Sequence, residues 1–209
     1  MLEEIRIVLI VYISALLPIY LLFVRFKSHS MYRWLKSIYL FCLIVCALGW
    51  EISFTYGLFD GFNVNERRSL FMSTMIPMNI NWFVNSLADA GTICIGGILI
   101  LSFISKYDNK LFLKWNWKYF FILMLFTLSQ NIFVEMFLYF DQISIDKPLS
   151  WALFSPLGTY FNPELININN RSIQLQTQMP SVIMTPILYA YAIFTYRCLF
   201  MDKDLSLIH

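Results

Sequence analysis

Long apolar segments alternate along the chain with short polar ones, and their lengths are the first guide to the structure. A helix rises about 1.5 Å per residue, so some 20 apolar residues cross a hydrocarbon core roughly 30 Å thick. Five segments meet this requirement: 5–24, 35–58, 82–105, 118–140 and 179–200. The pattern predicts an all-α integral membrane protein, a bundle of about five transmembrane helices in a single domain covering residues 1–209.

Two further apolar stretches leave the number of spans open between five and seven. Residues 70–80 (LFMSTMIPMNI) are interrupted by Pro77, which predicts an interfacial helix or a broken span. Residues 148–165 (PLSWALFSPLGTYFNPEL) mix aromatic residues with prolines and predict a loop that lies on the membrane or dips into it.

Composition supports the membrane class. Hydrophobic residues make up 59% of the chain and charged residues 13%, whereas soluble domains have about 45–50% and 25%. The net charge of +2 is too small to indicate nucleic-acid binding. The four cysteines lie in apolar stretches and are interpreted as buried small hydrophobic residues, since no ligand set accompanies them in sequence. No metal or cofactor is predicted.

Basic residues are distributed unequally between the two predicted sides of the membrane. One side receives ten: Arg25, Lys27, Arg33, Lys36, Lys106, Lys110, Lys114, Lys118, Arg197 and Lys203. The other side receives five: Arg6, Arg67, Arg68, Lys147 and Arg171. Since cytoplasmic loops carry an excess of Lys and Arg, the N-terminus is predicted outside or in a lumen and the C-terminus in the cytoplasm. The sequon Asn170-Arg171-Ser172 falls on the predicted outer side.

Polar residues recur every four positions on four of the predicted helices. Because such residues share one helix face, each set forms a line, and the four lines are expected to converge on one interior cavity. The lines are Glu51 and Thr55; Asn81, Asn85 and Asp89; Thr127, Asn131, Glu135 and Tyr139; and Thr177, Ser181, Thr185 and Tyr189.

Three of these residues are acids inside predicted spans. Glu51, Asp89 and Glu135 all fall in the outer half of the bilayer under the predicted orientation. A carboxyl group at that depth costs about 2.5–3.5 kcal/mol on insertion scales, so it is by default a hypothesis of function. In a dry site these acids are expected to carry a proton and to be able to donate it, and they are the predicted catalytic residues.

The acids have aromatic and polar neighbours suited to a lipid reaction. The rings of Trp50, Phe54, Tyr56, Trp82, Trp151 and Tyr160 are expected to stabilise a developing cation. The predicted substrate-binding residues are Trp50, Thr55, Tyr56, Trp82, Asn85, Asn131, Tyr139, Ser181 and Thr185. For the amides and hydroxyls the competing interpretation is that they hold helices together by hydrogen bonds.

The stretches GWEISFTYG (49–57) and NWFVNSLADAG (81–91) resemble parts of the small membrane-bound terpene cyclases of fungal meroterpenoid and indole-diterpene pathways. The resemblance implies an all-helical protein that protonates a terminal epoxide or alkene of a prenyl chain without metal. Position by position it implicates Trp50, Glu51, Trp82 and Asp89. That family is described with seven spans, and residues 70–80 and 148–165 would have to supply the additional two.

Three functions compete on these observations. The first is a cyclase or isomerase of an isoprenoid or sterol-like lipid, with Glu51 as general acid and Asp89 or Glu135 polarising it or taking the final proton. The second is a non-catalytic subunit of a larger membrane complex, with fixed protein partners. The third is a proton-coupled transporter, although the acids lie at one depth rather than through the bilayer.

Overall fold

A computed structural model of the chain describes residues 2–25, 30–59, 62–142, 160–169 and 171–200. Helices account for 82% of the structure, and five are long and apolar enough to cross a membrane. They are α1 (Leu2–Arg25), α2 (Met31–Tyr56), α3 (Met78–Ile104), α4 (Trp117–Gln142) and α5 (Leu175–Phe200). The prediction of a mainly helical bundle with about five apolar helices of membrane-spanning length is thus confirmed. Each helix begins one to four residues before its predicted segment.

The region between α2 and α3 folds as two short helices, Val64–Arg67 and Leu70–Met75. Gly57 ends α2 in the left-handed conformation with φ of 64°. Ser69 starts the second short helix, because its hydroxyl accepts a hydrogen bond from the Met72 N–H at 3.2 Å. Pro77 then separates that helix from α3. Residues 70–80 therefore form a six-residue helix and the first turn of α3, not an additional span.

A β-hairpin, which the sequence analysis did not predict, precedes α5. Strands β1 (Glu164–Ile168) and β2 (Arg171–Gln174) pair antiparallel. The side chains of Leu165, Ile166 and Ile168 are about half exposed, as expected for a hairpin at a membrane surface. Most of the predicted loop 148–165, including Trp151, lies outside the described residues, as does Asn170 of the sequon.

The helices pack through small residues and one buried indole. A Cβ at Gly91 on α3 would meet the Pro18 side chain of α1 at 2.2 Å, so glycine permits this close approach. Trp34 on α2 is 1% exposed, and its indole N–H donates to the Ala192 carbonyl of α5 at 3.1 Å. The remaining large contacts join α4 with α5 and α2 with α3.

Charged residues gather at one end of the bundle, here called the hairpin end. Asp141, near the end of α4, forms ion pairs with Arg6 of α1 and Arg171 of β2. Arg68 is buried and donates to Asn81 Oδ1 at 2.9 Å and to the Ile76 carbonyl. Burial lowers the pKa of Arg68 to about 10, which is still high enough to keep the group charged at neutral pH. Four of the five basic residues predicted on the outer side thus share one end; which side of a membrane that end faces remains a prediction.

Each buried carboxyl group lies at the edge of a π-helical segment. The segments are Ala47–Glu51 in α2, Asp89–Ile95 in α3 and Glu135–Tyr139 in α4. A π-helical turn widens the backbone by one residue and rotates the residues that follow, and such turns occur frequently at functional sites. In these three spans the irregular backbone begins or ends at an acid, whereas a fourth π-helical segment, Tyr20–Arg25 of α1, contains none.

Candidate functional site

The first cluster of polar contacts joins α2 to α3 and is called the α2–α3 seam. Asn81 Nδ2 donates to Thr55 Oγ1 at 3.2 Å, and the Asn85 side chain is hydrogen-bonded to the Glu51 carboxyl group. Trp50 Nε1 donates to Asp89 Oδ2 at 2.9 Å. Two of the predicted polar lines therefore pair along their length.

Glu51 and Asp89 are neighbours at the centre of this seam. Glu51 is 2% exposed and lies within electrostatic range of Asp89. Asp89 receives its hydrogen bond from a neutral indole, and Glu51 receives its own from a neutral amide. The seam thus holds two acids with few donors between them. Two negative charges this close in a dry interior are unfavourable, so at least one acid is expected to carry a proton.

The second cluster, the α4–α5 seam, pairs the other two predicted lines. Thr127 and Thr185 share a hydrogen bond of 2.7 Å between their hydroxyl groups. Ser181 donates to the Thr127 carbonyl at 3.3 Å, and Asn131 donates to Gln178 Oε1 at 3.1 Å. These contacts are of the kind that hold membrane helices together.

Glu135 lies at the hairpin end of the α4–α5 seam and is held by several donors. Its Oε2 accepts from the Thr177 hydroxyl at 2.8 Å and from the Gln178 amide, and its Oε1 accepts from the Gln174 backbone N–H at 3.2 Å. Thr177 and Gln178 belong to the first turn of α5 and Gln174 directly precedes this helix, whose dipole favours a negative charge there. Glu135 is 1% exposed, so it links α4 to the beginning of α5 inside the protein.

A narrow chamber lies between the two seams and is lined by all four helices. Its volume is about 30 Å³, and its wall includes Trp50, Phe54, Asp89, Asn131, Tyr139 and Ser181. A volume of this size holds one or two water molecules or the end of a larger ligand. Tyr139 lies within electrostatic range of all three acids. Three of the four polar lines thus reach the chamber, with Asp89 as the acid on the described wall, whereas Glu51 and Thr55 of the remaining line are not among the described wall residues.

The other predicted binding residues have contacts within the bundle. Thr55 and Thr185 are fully buried in the seams, and Asn85 holds Glu51. The Trp82 indole donates to the Ala47 carbonyl at 2.9 Å, and the Tyr56 hydroxyl donates to Asn79 Oδ1 at 2.8 Å. Tyr160 is 88% exposed. Of the predicted aromatic set, Trp50 and Phe54 are the described residues that line the chamber.

Three cysteines meet beside the chamber, which sequence spacing did not reveal. Cys94 of α3 makes side-chain contacts with both Cys42 and Cys46 of α2, and all three are buried. Cys46 and Cys94 line the chamber next to Asp89. Burial was expected for all four cysteines and is found for these three, whereas Cys198 is exposed. The clustering depends on how α2 packs on α3. No arrangement suited to a metal ion is found among the residues that the structure describes.

Two larger grooves flank the chamber. The α2–α5 groove has a volume of about 270 Å³ and is lined by Val45, Gly49, Trp50, Phe54, Gln176, Met179, Pro180 and Ile183. A second groove of about 260 Å³ lies between α1, α3 and α4 and contains Asn85, Asp89, Gln130, Tyr139 and Gln142. Asp89 borders the chamber and the second groove, so it can be approached from both sides.

These features define a five-helix membrane protein with an acid-containing chamber. Comparison of the chain with protein-family models, with curated proteins and with solved structures finds no match in any of the three. A function is therefore proposed from the chemistry of the site.

Proposed function

We propose that this protein is a membrane-embedded cyclase or isomerase, in which an intramembrane carboxylic acid protonates an isoprenoid lipid. The observation that carries the proposal is the position of Asp89 on the wall of a chamber formed by four helices, with aromatic rings beside it. A neutral acid in an apolar site is a proton donor, and the faces of Trp50 and Phe54 stabilise a nearby cation. No metal ion or cofactor is needed for this step.

Asp89 is the better proton donor of the paired acids. It borders the chamber, whereas Glu51 is not among the described wall residues and is hydrogen-bonded to Asn85. Because Trp50 donates to Oδ2, the acidic proton of Asp89 belongs on Oδ1. Glu51 then acts as a positioning residue whose proximity keeps a proton on the pair. The roles expected from sequence are thereby exchanged in the proposal.

The chemistry is an isomerisation in which every atom of the substrate is retained. Asp89 gives its proton to the oxygen of a terminal epoxide, a C–O bond breaks, and a carbocation forms on the substituted carbon. The π electrons of an internal alkene attack that carbon and form a ring. A proton lost from the carbon next to the final cation returns to the Asp89 carboxylate. With a plain alkene, the first proton adds to carbon instead.

Glu135 receives a different role. Its carboxyl oxygens already accept three hydrogen bonds at the start of α5, so a proton on this group would compete with them. We assign Glu135 to the positioning of α5, which supplies Pro180 and Ser181 to the chamber.

Turnover in membranes tests the proposal. Membranes containing the wild type, Asp89→Asn or Thr185→Val would be supplied with farnesyl and geranylgeranyl substrates and with their terminal epoxides, in H₂O and in D₂O. Products would be identified by mass spectrometry and NMR. The wild type is expected to give a cyclic isomer of unchanged mass in H₂O. With the plain alkene in D₂O, the product should gain one deuterium at the protonated carbon.

Thr185→Val is the matched control, because Thr185 is a buried seam residue outside the chamber wall. It should retain activity, while Asp89→Asn should lose it at equal expression. Absence of isomerisation in the wild type, together with stable co-purification of fixed subunits, would contradict the proposal and favour the non-catalytic subunit.

A further inference from the structure

Gly49 occupies an exposed position on α2 without a packing reason to be glycine. A Cβ added there would meet nothing within 4 Å, whereas a Cβ at Gly97 would meet the Leu123 side chain at 2.5 Å. Its backbone is helical and needs no positive φ, since Gly57 is the glycine with positive φ among the described residues. Glycine inside a helix costs roughly 0.5–1 kcal/mol relative to alanine. The neighbouring Leu48 is 63% exposed and carries the large apolar side chain usual at a lipid-facing position.

The effect of Gly49 is to open the α2–α5 groove. Val45 and Phe54 bound the groove along α2, nine residues or about 14 Å apart along the helix axis. Met179 and Ile183 form the opposite wall on α5 and are 40% and 55% exposed, so the groove faces the bilayer. Its lining is overwhelmingly apolar, which suits a hydrocarbon chain rather than a polar head group.

The groove directly borders the acid chamber. Trp50, Phe54 and Pro180 line both cavities, so these side chains form the boundary between them. The two volumes differ ninefold, about 270 Å³ against 30 Å³. Pockets that enclose a whole small molecule usually have about 300–1,000 Å³. The groove is therefore large enough for part of a lipid chain, and the chamber only for its reactive end.

We propose that the α2–α5 groove is the binding site for the chain of an isoprenoid substrate, with Gly49 as the residue that determines access from the bilayer. This inference rests on the proposed function for the identity of the chain. The terminal alkene or epoxide passes between Trp50 and Pro180 to reach Asp89, while the remaining isoprene units lie along Gly49. Aromatic rings at the inner end favour an unsaturated, methyl-branched chain over a saturated one, because its π bonds become cationic during the reaction.

Photolabelling tests the groove without requiring turnover. Membranes would be irradiated with farnesol that carries a mid-chain diazirine, and labelled peptides would be mapped by mass spectrometry. Labels are expected on Val45, Met179 or Ile183 in the wild type. Gly49→Phe fills the groove and should reduce this labelling on the order of fivefold or more, since a bulky side chain excludes the ligand by overlap. Gly49→Ala adds one methyl group and should change it little.

Two matched variants separate the groove from general effects on the membrane surface. Leu48→Phe adds bulk at the next lipid-facing position outside the described groove lining and should leave labelling unchanged. Ile183→Trp fills the groove from α5 and should reduce labelling as Gly49→Phe does. Detergent gel filtration would establish that each variant is folded, and Ile183→Trp keeps the test decisive where Gly49→Phe fails to fold.

Each result has a defined meaning. Equal labelling of the groove by hexadecanol with the same diazirine would show that ordinary chains occupy it, and would overturn the proposal. Unchanged farnesol labelling in both groove-filling variants would overturn it as well. Farnesol labelling that is lost in the groove-filling variants, with no isomerisation by the wild type or any variant, would support the groove as a binding site and reject the proposed reaction. Isomerisation that Gly49→Phe leaves unchanged would support the proposed reaction and reject the groove as the binding site of the substrate chain.

Discussion

The two polar seams contain the same kinds of side chain but differ in how many hydrogen-bond donors surround their acids. In the α4–α5 seam, Glu135 accepts from Thr177, Gln178 and the Gln174 backbone at the start of a helix. In the α2–α3 seam, Glu51 and Asp89 lie side by side, with single donors from Asn85 and Trp50. A carboxylate surrounded by donors is stabilised where it lies. Acids with a single donor each are stabilised less as carboxylates, so they are expected to keep a proton that can be given to a ligand.

The comparison shows why burial alone does not identify a catalytic acid. Glu51 and Glu135 are both nearly inaccessible, at 2% and 1% exposure. What differs is the number of donors and the access to a cavity. Asp89 has one described donor and borders both the chamber and the groove between α1, α3 and α4. That second groove contains Gln130 and Gln142, so it offers a polar side through which the proton of Asp89 can exchange with solvent between turnovers.

The largest effect is expected from Asp89→Asn. The amide has the same shape and can still accept the Trp50 hydrogen bond, but it has no acidic proton. Loss of a general acid lowers turnover by about 10²–10⁴-fold, and we expect a decrease near the middle of that range. The measurement is the initial rate of cyclic product formation in membranes, normalised to folded protein. A decrease smaller than that for Glu51→Gln would reverse the roles assigned to the two acids.

Glu135→Gln should instead reduce stability. Hydrogen bonds to charged groups contribute about 1.5–3 kcal/mol, and the amide replaces one acceptor oxygen with a donor that faces Thr177 or Gln174. We expect a loss of about 2–3 kcal/mol in the free energy of unfolding, measured by SDS titration in mixed micelles. The matched variant Glu51→Gln changes an acid with one described hydrogen-bond partner, Asn85, and should cost less than about 1 kcal/mol. Equal losses of unfolding free energy in the two variants would contradict the proposed difference between the two seams in how strongly their acids are hydrogen-bonded.

Trp50→Phe should have a smaller and purely kinetic effect. The phenyl ring keeps an aromatic wall but removes the N–H that orients Asp89. Loss of one such hydrogen bond corresponds to about 1.4 kcal/mol, or tenfold in kcat, with little change in KM. Trp82→Phe is the control, because it removes an indole N–H from the Ala47 carbonyl in the same seam without touching an acid. A similar loss of kcat in Trp82→Phe would mean that the seam, rather than the carboxyl group, is being perturbed.

Helical spacing predicted the faces of the helices but not their pairing. The four-residue repeats correctly grouped Asn81, Asn85 and Asp89, since neighbours on one helix face need no tertiary information. Which line meets which depends on packing between helices. Sequence therefore did not show that Trp50 would bond to Asp89, or that Thr127 would meet Thr185.

Other features depend on long-range contacts or on local backbone geometry. The cysteine cluster joins Cys94 to residues some fifty positions earlier, and each thiol by itself has the pattern of a buried apolar residue. The hairpin has a turn at Asn169, with φ of 52°, between ELINI and RSIQ. Its first two residues were interpreted as the end of the membrane-surface loop 148–165, and the rest of the hairpin was assigned no element. The π-helical segments follow from packing and have no signature in the hydropathy pattern.

The smallest expected effect concerns the hydrogen bond between Thr127 and Thr185, and a double-mutant cycle with valine measures it. The hydroxyls are 2.7 Å apart, but Thr127 also lies 3.1 Å from the Met124 carbonyl and Thr185 lies 2.6 Å from the Ser181 carbonyl. Since each hydroxyl has one proton, only one can donate across the seam while the other donates to its own helix. The coupling free energy should therefore be about 0.6 kcal/mol, the average for such bonds in membranes. Catalytic activity should remain within twofold of wild type, because neither residue lines the described chamber wall. A coupling well above this value, or a loss of turnover in the single variants, would show that the α4–α5 seam contributes more than the joining of two helices.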